Sequence, residues 1–299
     1  MKFDVVIPTK NRPDDLNRLF ESITKQIEKP ARVVIIDQSD NIAVQKESGD
    51  FEVNHVHAPY VSGLTAAKNL GVSYCNSEIV YFFDDDIILD PDFFQIMNSH
   101  FENDPEIYGM CGKQKNCKDS FINILFFSLF HIGAYKDIRR KCNSGYIKEP
   151  LVKTNIISGG ITGYRRKVFD DYLFDEGLVR YCLGEDMDFS YRVSRHHTIC
   201  FATDALALHN HSQIGRYDAK ESYACKVAGF SYFYDKNLTK TFFNKLSYSL
   251  VLVGIVVDAL YYTISHFSMD ALKGIIKGRK YVRGHYKNVP FIDVNKISI

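Results

Sequence analysis

Apolar positions in the first hundred residues follow two alternating rhythms. Solid apolar runs at Phe3–Pro8, Arg32–Asp37 and Glu78–Phe83 read as buried strands. Between the first two, Leu16, Leu19, Phe20, Ile23 and Ile27 recur at spacings of three or four after Pro13. That spacing predicts an amphipathic helix opened by a proline whose missing N–H costs nothing at the first turn. Phe51–His57 predicts a weaker strand, and Ser62–Tyr74 a helix with Ser62 as its N-cap. Asp90-Pro91-Asp92 predicts a further helix start with Asp90 as the cap. Later, Glu185–Arg192 reads as a short helix and Ala205–Leu208 as a strand.

Strand-helix alternation of this kind predicts an α/β fold, a mostly parallel central sheet flanked by helices. Ligands of such sheets bind beyond the carboxyl ends of the strands. Three predicted strands end there in polar groups: Thr9–Arg12, Asp37–Asp40 and Asp84–Asp86. The last of these interrupts a buried stretch, between Tyr81-Phe82-Phe83 and Ile87-Ile88-Leu89. Adjacent carboxylates repel unless water or a cation compensates. A solvated turn is the plain reading; a hard divalent cation, Mg²⁺ or Mn²⁺, is the reading that explains the apolar flanks. Asp84 and Asp86 would then share one side of an extended chain, with Asp85 turned away.

A second acidic pair, Glu185-Asp186, opens the short helix, where the dipole favours anions. It reads either as a capped helix start or as a general base beside an attacking hydroxyl. His209 follows the strand at Ala205–Leu208, ahead of His211, and imidazole suits Mn²⁺ as a ligand or diphosphate as a contact.

The chain has 299 residues, with 37 Lys+Arg against 36 Asp+Glu, a net charge of +1. A nucleic-acid binder usually carries a clearer basic excess, so no nucleic-acid partner is expected. The seven cysteines include no Cys-x-x-Cys pair, as in a cytosolic protein with reduced thiols. No apolar signal core precedes Pro8, which also favours a cytosolic setting.

These motifs, in this order, resemble the family 2 glycosyltransferases, which have the GT-A fold. The resemblance rests on Val6-Ile7-Pro8-Thr9-Lys10-Asn11-Arg12, Val34-Ile35-Ile36-Asp37, Gly63–Gly71, Phe82–Asp86, Ser158-Gly159-Gly160, Phe174-Asp175-Glu176 and Gly184-Glu185-Asp186. It covers about residues 1–215, which it implies form the nucleotide-sugar transferase domain. It implies that Asp84 and Asp86 form the Asp-x-Asp motif that holds Mg²⁺ or Mn²⁺, with Asp85 beside the cofactor and His209 as a third ligand. Pro8, Thr9, Asn11 and Arg12 match the loop around the nucleotide, and Asp37 the residue that meets the base. Lys68 stands where the family often places a cation near the nucleotide. Gly159 and Gly160 match a tight loop that approaches the sugar or acceptor; a turn needing positive φ is a second reason for glycine there. Asp186 matches the catalytic base, with Glu185 beside it. The implied activity is inverting hexosyl transfer of a single sugar from a UDP-, dTDP- or GDP-sugar to a glycan or lipid-linked acceptor, in surface polysaccharide synthesis. One departure is Gln38, where the family commonly has a second acid. A nucleotidyltransferase is the alternative enzyme, but Thr9-Lys10-Asn11-Arg12-Pro13 lacks the glycines of its phosphate loop. A non-catalytic membrane-associated sugar-nucleotide-binding module is the other. The absence of Trp excludes the Gln-x-x-Arg-Trp motif of processive synthases.

Two apolar segments remain. Residues 121–133 are too short to span a bilayer and suit either core packing or contact with a lipid-linked acceptor or membrane surface. Leu246–Ser265 has 14 hydrophobic residues in 20 but contains Asp258, which favours a buried or interfacial helix over a span. From residue 266 the chain carries seven Lys/Arg and two Asp. A helical region from 216 to 299 is therefore expected to lie on an anionic membrane surface, the cytosolic face of the inner membrane.

Overall fold

The computed structural model describes residues 1–42, 46–179, 184–212, 217–287, 289–293 and 296. The first half alternates as β1 (Phe3–Thr9), α1 (Pro13–Thr24), β2 (Arg32–Asp37), β3 (Glu52–His57), α2 (Leu64–Ser73), β4 (Ile79–Phe83), β5 (Ile87–Leu89) and α3 (Phe93–Asn103). There follow β6 (Ile107–Gln114), α4 (Phe121–Phe130), α5 (Arg139–Asn143), β7 (Leu151–Thr154), β8 (Ile161–Arg165), α6 (Val168–Asp171), α7 (Glu185–Ser194) and β9 (Thr198–His209). Three helices close the chain: α8 (Ala219–Asn237), α9 (Phe242–His266) and α10 (Asp270–Arg283).

Among the described residues the strands form one sheet in the order β3-β2-β1-β4-β8-β6-β9-β5, with β7 also on β9. The β3-β2-β1-β4 half is parallel, as the alternation predicts. Beyond β4 the sheet is mixed, because β8 runs antiparallel to both β4 and β6. The chain leaves β1 for β2 on one side and returns to β4 on the other. The gap between the carboxyl ends of β1 and β4 is thus a topological switch point, where open α/β sheets bind ligands. Pro8 sits just past the last β1–β4 pair, Val6–Phe82, so its missing N–H costs no bond to β4.

Alternation along β1 sends Val5 and Ile7 to one face and Val6 to the other. Leu16, Leu19, Phe20 and Ile23 of α1 cover the first face with Phe93, Phe94, Met97 and Phe101 of α3. The second face is covered by α2, α6 and α7, with Phe169, Phe174 and Phe189 packed ring on ring. Ile27 falls outside this pattern: α1 ends at Thr24 and Ile27 is exposed. Neither predicted cap holds. Gly63, at φ 102°, precedes α2 in place of Ser62, and Asp92 precedes α3 in place of Asp90.

A third core joins α8, α9 and α10 to Tyr135, Ile156 and Met187. Two buried carboxylates tie this helical region to the rest. Asp188 on α7 accepts from Lys236 at 3.0 Å and from Asn237 at 2.8 Å. Asp175 accepts from Tyr232 at 2.7 Å and pairs with Lys236. The 121–133 segment does not pack as core: α4 buries only Ile124 and exposes Phe121, Ile122, Leu125 and Leu129. Helix α9 is long and apolar enough to cross a membrane, with Asp258 held by Tyr223 at 2.9 Å and Lys226 at 3.1 Å.

Candidate active site

The sharp turn after β4 places three aspartates in three different settings. Asp85 points inward and is 4% exposed; it accepts from Thr9 Oγ1 at 2.7 Å and pairs with Arg12 at 3.0 Å. Burial pushes its carboxyl up to about 6 despite those two partners. Thr9 and Arg12 are therefore spent holding the loop after β1 to the acidic turn. Asp84 and Asp86 face the other way with His209 from the end of β9, their ligand atoms all within 4.8 Å of one another.

The donor set suits a hard or borderline divalent ion. His209 Nε2 lies 3.0 Å from Asp86 Oδ1. That separation is the edge of an octahedron with bonds of about 2.1 Å, the length a small divalent cation demands. Burial opposes the Asp86 carboxylate, yet the His209 ring and the Ser212 N–H hold it down at about 2. Burial raises Asp84, with Lys68 acting against it. His209 Nδ1 is buried without a hydrogen-bond partner. Asn116 fixes the His209 backbone from both sides, at 2.7 and 3.1 Å. His211 lies tilted against the His209 ring, with centroids 4.0 Å apart.

Gly160 presses directly on this group. A methyl at Gly160 would sit 2.2 Å from Asp84 Oδ2. Gly159 faces the opposite way: its methyl would meet Glu185 Oε1 at 2.6 Å and Asp186 Cβ at 3.0 Å. Neither glycine has positive φ, so space and not backbone conformation requires them.

Under that loop, Lys68 is 1% exposed and donates to Gly159 O at 3.1 Å and Glu185 Oε1 at 2.9 Å. Glu185 keeps one oxygen, Oε2, buried and unpartnered, and burial pushes its carboxyl up in spite of Lys68. Asp186, half-buried beside it, accepts from Met187 N at 2.8 Å and from Arg139 Nη1 at 2.5 Å. Arg139 in turn grips Asp137 through Nε at 3.0 Å.

Asp37 lies at the end of β2, fully buried, between His55 at 3.1 Å and the Ser39 N–H at 2.9 Å. Gln38 donates to Val61 O and Gly63 O, which fastens the approach to α2. Asn11, at φ 56°, is pinned by Ser39 Oγ at 2.7 Å. The structure thus gathers Asp84, Asp86, His209, Gly159, Gly160, Lys68, Glu185 and Asp186 in one cluster of contacts. Arg12 is joined to Asp85, between Asp84 and Asp86 in the chain, and Asp37 lies at the end of β2 with His55 and Ser39. Sequence reasoning missed Arg139 and Asn116. Arg139 is 47 residues from the carboxylate it holds, with no local signal to mark it.

Comparison with known proteins bears on the family and the fold. The model of "Glycosyl transferase family 2" matches residues 4–173. "O-antigen chain rhamnosyltransferase RfbN" of Salmonella typhimurium is 23% identical over 224 residues, covering 72% of this chain and 68% of its own. "O-antigen chain rhamnosyltransferase WbaN" of Salmonella anatum is 25% identical over 220 residues, with the same shares. The mannosyltransferase PcManGT from Pyrobaculum calidifontis, solved with GDP-Man and Mn²⁺, superposes with a TM-score of 0.54 at 13% identity. It covers 96% of this chain and 86% of its own. Of the longer S. aureus TarS, this chain spans 44%, with a TM-score of 0.50. With the family model matched over more than half of its length on a GT-A-like α/β sheet, this chain belongs to glycosyl transferase family 2.

Proposed function

We propose that the protein is an inverting, metal-dependent glycosyltransferase that moves one sugar from a UDP-, dTDP- or GDP-sugar to an acceptor hydroxyl. One observation carries this reading: the two-residue Gly159-Gly160 loop has Asp84, a member of the Asp84–Asp86–His209 group, against one glycine and Glu185 and Asp186 against the other. A donor diphosphate and an acceptor hydroxyl would meet across that loop. Mg²⁺ or Mn²⁺ held by Asp84, Asp86 and His209 would offset diphosphate charge and stabilise the leaving nucleotide. The protein's own groups do the rest. Asn11 and Arg12 line the nucleotide side, with Asp37 fixing that rim through His55 and Ser39. Gly159 and Gly160 let the backbone approach the sugar. Lys68 and Glu185 hold the loop from below.

Asp186 takes the proton of the acceptor hydroxyl as its oxygen attacks the anomeric carbon. Both Asp186 oxygens already accept one hydrogen bond, and each keeps a second lone pair for that proton. Arg139 keeps the carboxylate aimed. The transition state resembles an oxocarbenium ion, and a single displacement inverts the anomeric centre.

The names of the Salmonella relatives favour a glycan of surface polysaccharide as the product. The exposed apolar residues of α4 and α9, with the basic residues of α10, favour a lipid-linked acceptor at the cytosolic face of the inner membrane. Residues 1–215 would carry the transferase and 216–299 the membrane contact. A panel of UDP, dTDP, GDP and CMP with and without Mn²⁺ tests the donor site by thermal shift. A Mn²⁺-dependent rise with one diphosphate supports it; folded protein that responds to none refutes it.

A further inference from the structure

A chamber of about 380 Å³ lies behind Asp186, between α4, α8 and α9. Its size is that of a small-molecule pocket, roughly 300–1,000 Å³. Phe126 and Phe127 of α4, Phe230 of α8 and Ile255 of α9 form its apolar walls, and Asp186 with Arg139 stands at its polar end. Three cations of the lining, Arg139, Arg140 and Lys226, balance its three carboxylates, Asp137, Asp186 and Asp258, and each cation is already paired. Arg139 pairs with Asp186 and Asp137, Lys226 with Asp258 at 3.1 Å, and Arg140 with Asp119 at 2.7 Å. A bare anion gains little from cations already engaged.

One polar atom in the wall is left over. His131 Nδ1 is buried without a well-formed hydrogen bond, its ring packed against Phe230 and Phe127 and approaching the Phe127 backbone. A buried polar atom left unmatched in a native structure calls for a partner. Burial also lowers the pKa of His131, so the ring enters such a bond neutral. The outward faces of the two helices that wall the chamber expose Leu125 and Leu129 on α4 and Val257 and Leu260 on α9. Chamber and apolar exterior therefore share their walls.

We infer that this chamber seats the aliphatic segment of an amphipathic acceptor, a molecule with an alkyl chain joined to a hydroxylated sugar head. The chain lies against Phe126, Phe230 and Ile255, a polar group at the junction meets His131 Nδ1, and the head offers its hydroxyl to Asp186. The assignment rests on Asp186 as the base.

The chain has no Trp, so F126W places a single fluorophore in the chamber wall. Hexyl, heptyl and octyl β-glucosides, each below its micelle concentration, should give a saturable spectral change. Affinity should rise about fourfold per added methylene until the chamber is full. Glucose should give no change, and neither should octyl glucoside with L260W, on the exposed face of α9. H131F keeps a ring but removes the polar atom, and should weaken octyl glucoside threefold to tenfold. Should F126W fail to fold, F230W reports the opposite wall. No saturable change in either reporter overturns the proposal. So does a non-saturating change that L260W shares, which is binding to the apolar exterior. Transfer by D186N separates this inference from the reading beneath it. An inactive D186N with no glucoside site overturns the chamber alone. A fully active D186N overturns the base, and with it the acceptor's orientation, whatever F126W reports.

Discussion

Gly160→Ala isolates the metal-ligand geometry from everything else in the fold. The added methyl would stand 2.2 Å from Asp84 Oδ2 and 2.6 Å from Asp84 Cγ. Real contacts of this kind stay beyond 3.0 Å, so the carboxylate must retreat by at least about 0.8 Å. Metal sites tolerate displacements of about 0.2 Å. Lost support of this kind typically costs about 10–100-fold in metal affinity, or ~1.4–2.7 kcal/mol. Stability should hardly move. The backbone at Gly160 is not left-handed, so alanine fits it, and the lower entropy of the unfolded chain returns about 0.4–1 kcal/mol. Calorimetric titration of Mn²⁺, alone and with UDP, dTDP or GDP, reads the metal; a thermal melt reads the fold. G159A is the internal control, because its methyl meets Glu185, Lys68 and Asp186. It should impair transfer and leave Mn²⁺ binding within a few-fold. Wild-type Mn²⁺ affinity in a folded G160A protein would refute the placement of Asp84 in a metal site.

D86A should lose Mn²⁺-dependent nucleotide binding, whereas D186N should keep it and lose about 10²–10⁴-fold in turnover; normal transfer by D186N ends the base assignment. Asp85 gives a pH signature. Its folded carboxyl titrates at about 6, an unfolded one near ~3.9. Its contribution to stability is therefore present below about pH 4 and lost as pH rises through about 6. In metal-free urea melts, wild type should lose ~3 kcal/mol relative to D85N between about pH 4 and pH 7; parallel profiles refute the buried setting. L125D with L260D, both at exposed positions, should fold normally and sediment several-fold less with anionic vesicles. Undiminished sedimentation would remove α4 and α9 from the membrane contact.

What was legible in the sequence is what is local. Phe82–Asp86 announces itself because three carboxylates interrupt a buried run, and a strand that must stop there puts them at the ligand edge of the sheet. His209 is legible for the same reason at the end of β9. Glu185-Asp186 is legible as a helix start. The lost features depend on space or distance. Nothing near Gly159-Gly160 says that Asp84 and Glu185 will lie against them, so positive φ is as good a reason for glycine until the packing is known. Arg139 pairs with Asp186 across 47 residues, beyond any spacing rule. The caps at Ser62 and Asp90 failed by one or two positions, since Gly63 turns at φ 102° before α2 and Asp92 flanks α3. The antiparallel β8 was invisible because Ile161–Arg165 pairs with β4 and β6, both far away in sequence.

Lys236 and Asn237, at the end of α8, have a consequence for how the protein can be cut and recombined. They hold the carboxylate of Asp188, two residues beyond the candidate base on the same helix, and Lys236 also holds Asp175. Met187, between them, belongs to the core of the last three helices. A chain ended near residue 216 would take Lys236 from both buried acids, leaving Asp188 with Arg192 alone and Asp175 without its cation, and would bare Met187, the neighbour of Asp186. Removing one partner of a buried pair costs about 3–5 kcal/mol. The last three helices are therefore not an interchangeable anchor: a chimera that borrows another tail must also carry replacements for Asp175, Met187 and Asp188. Any force that moves those helices also pulls on the helix that carries Asp186.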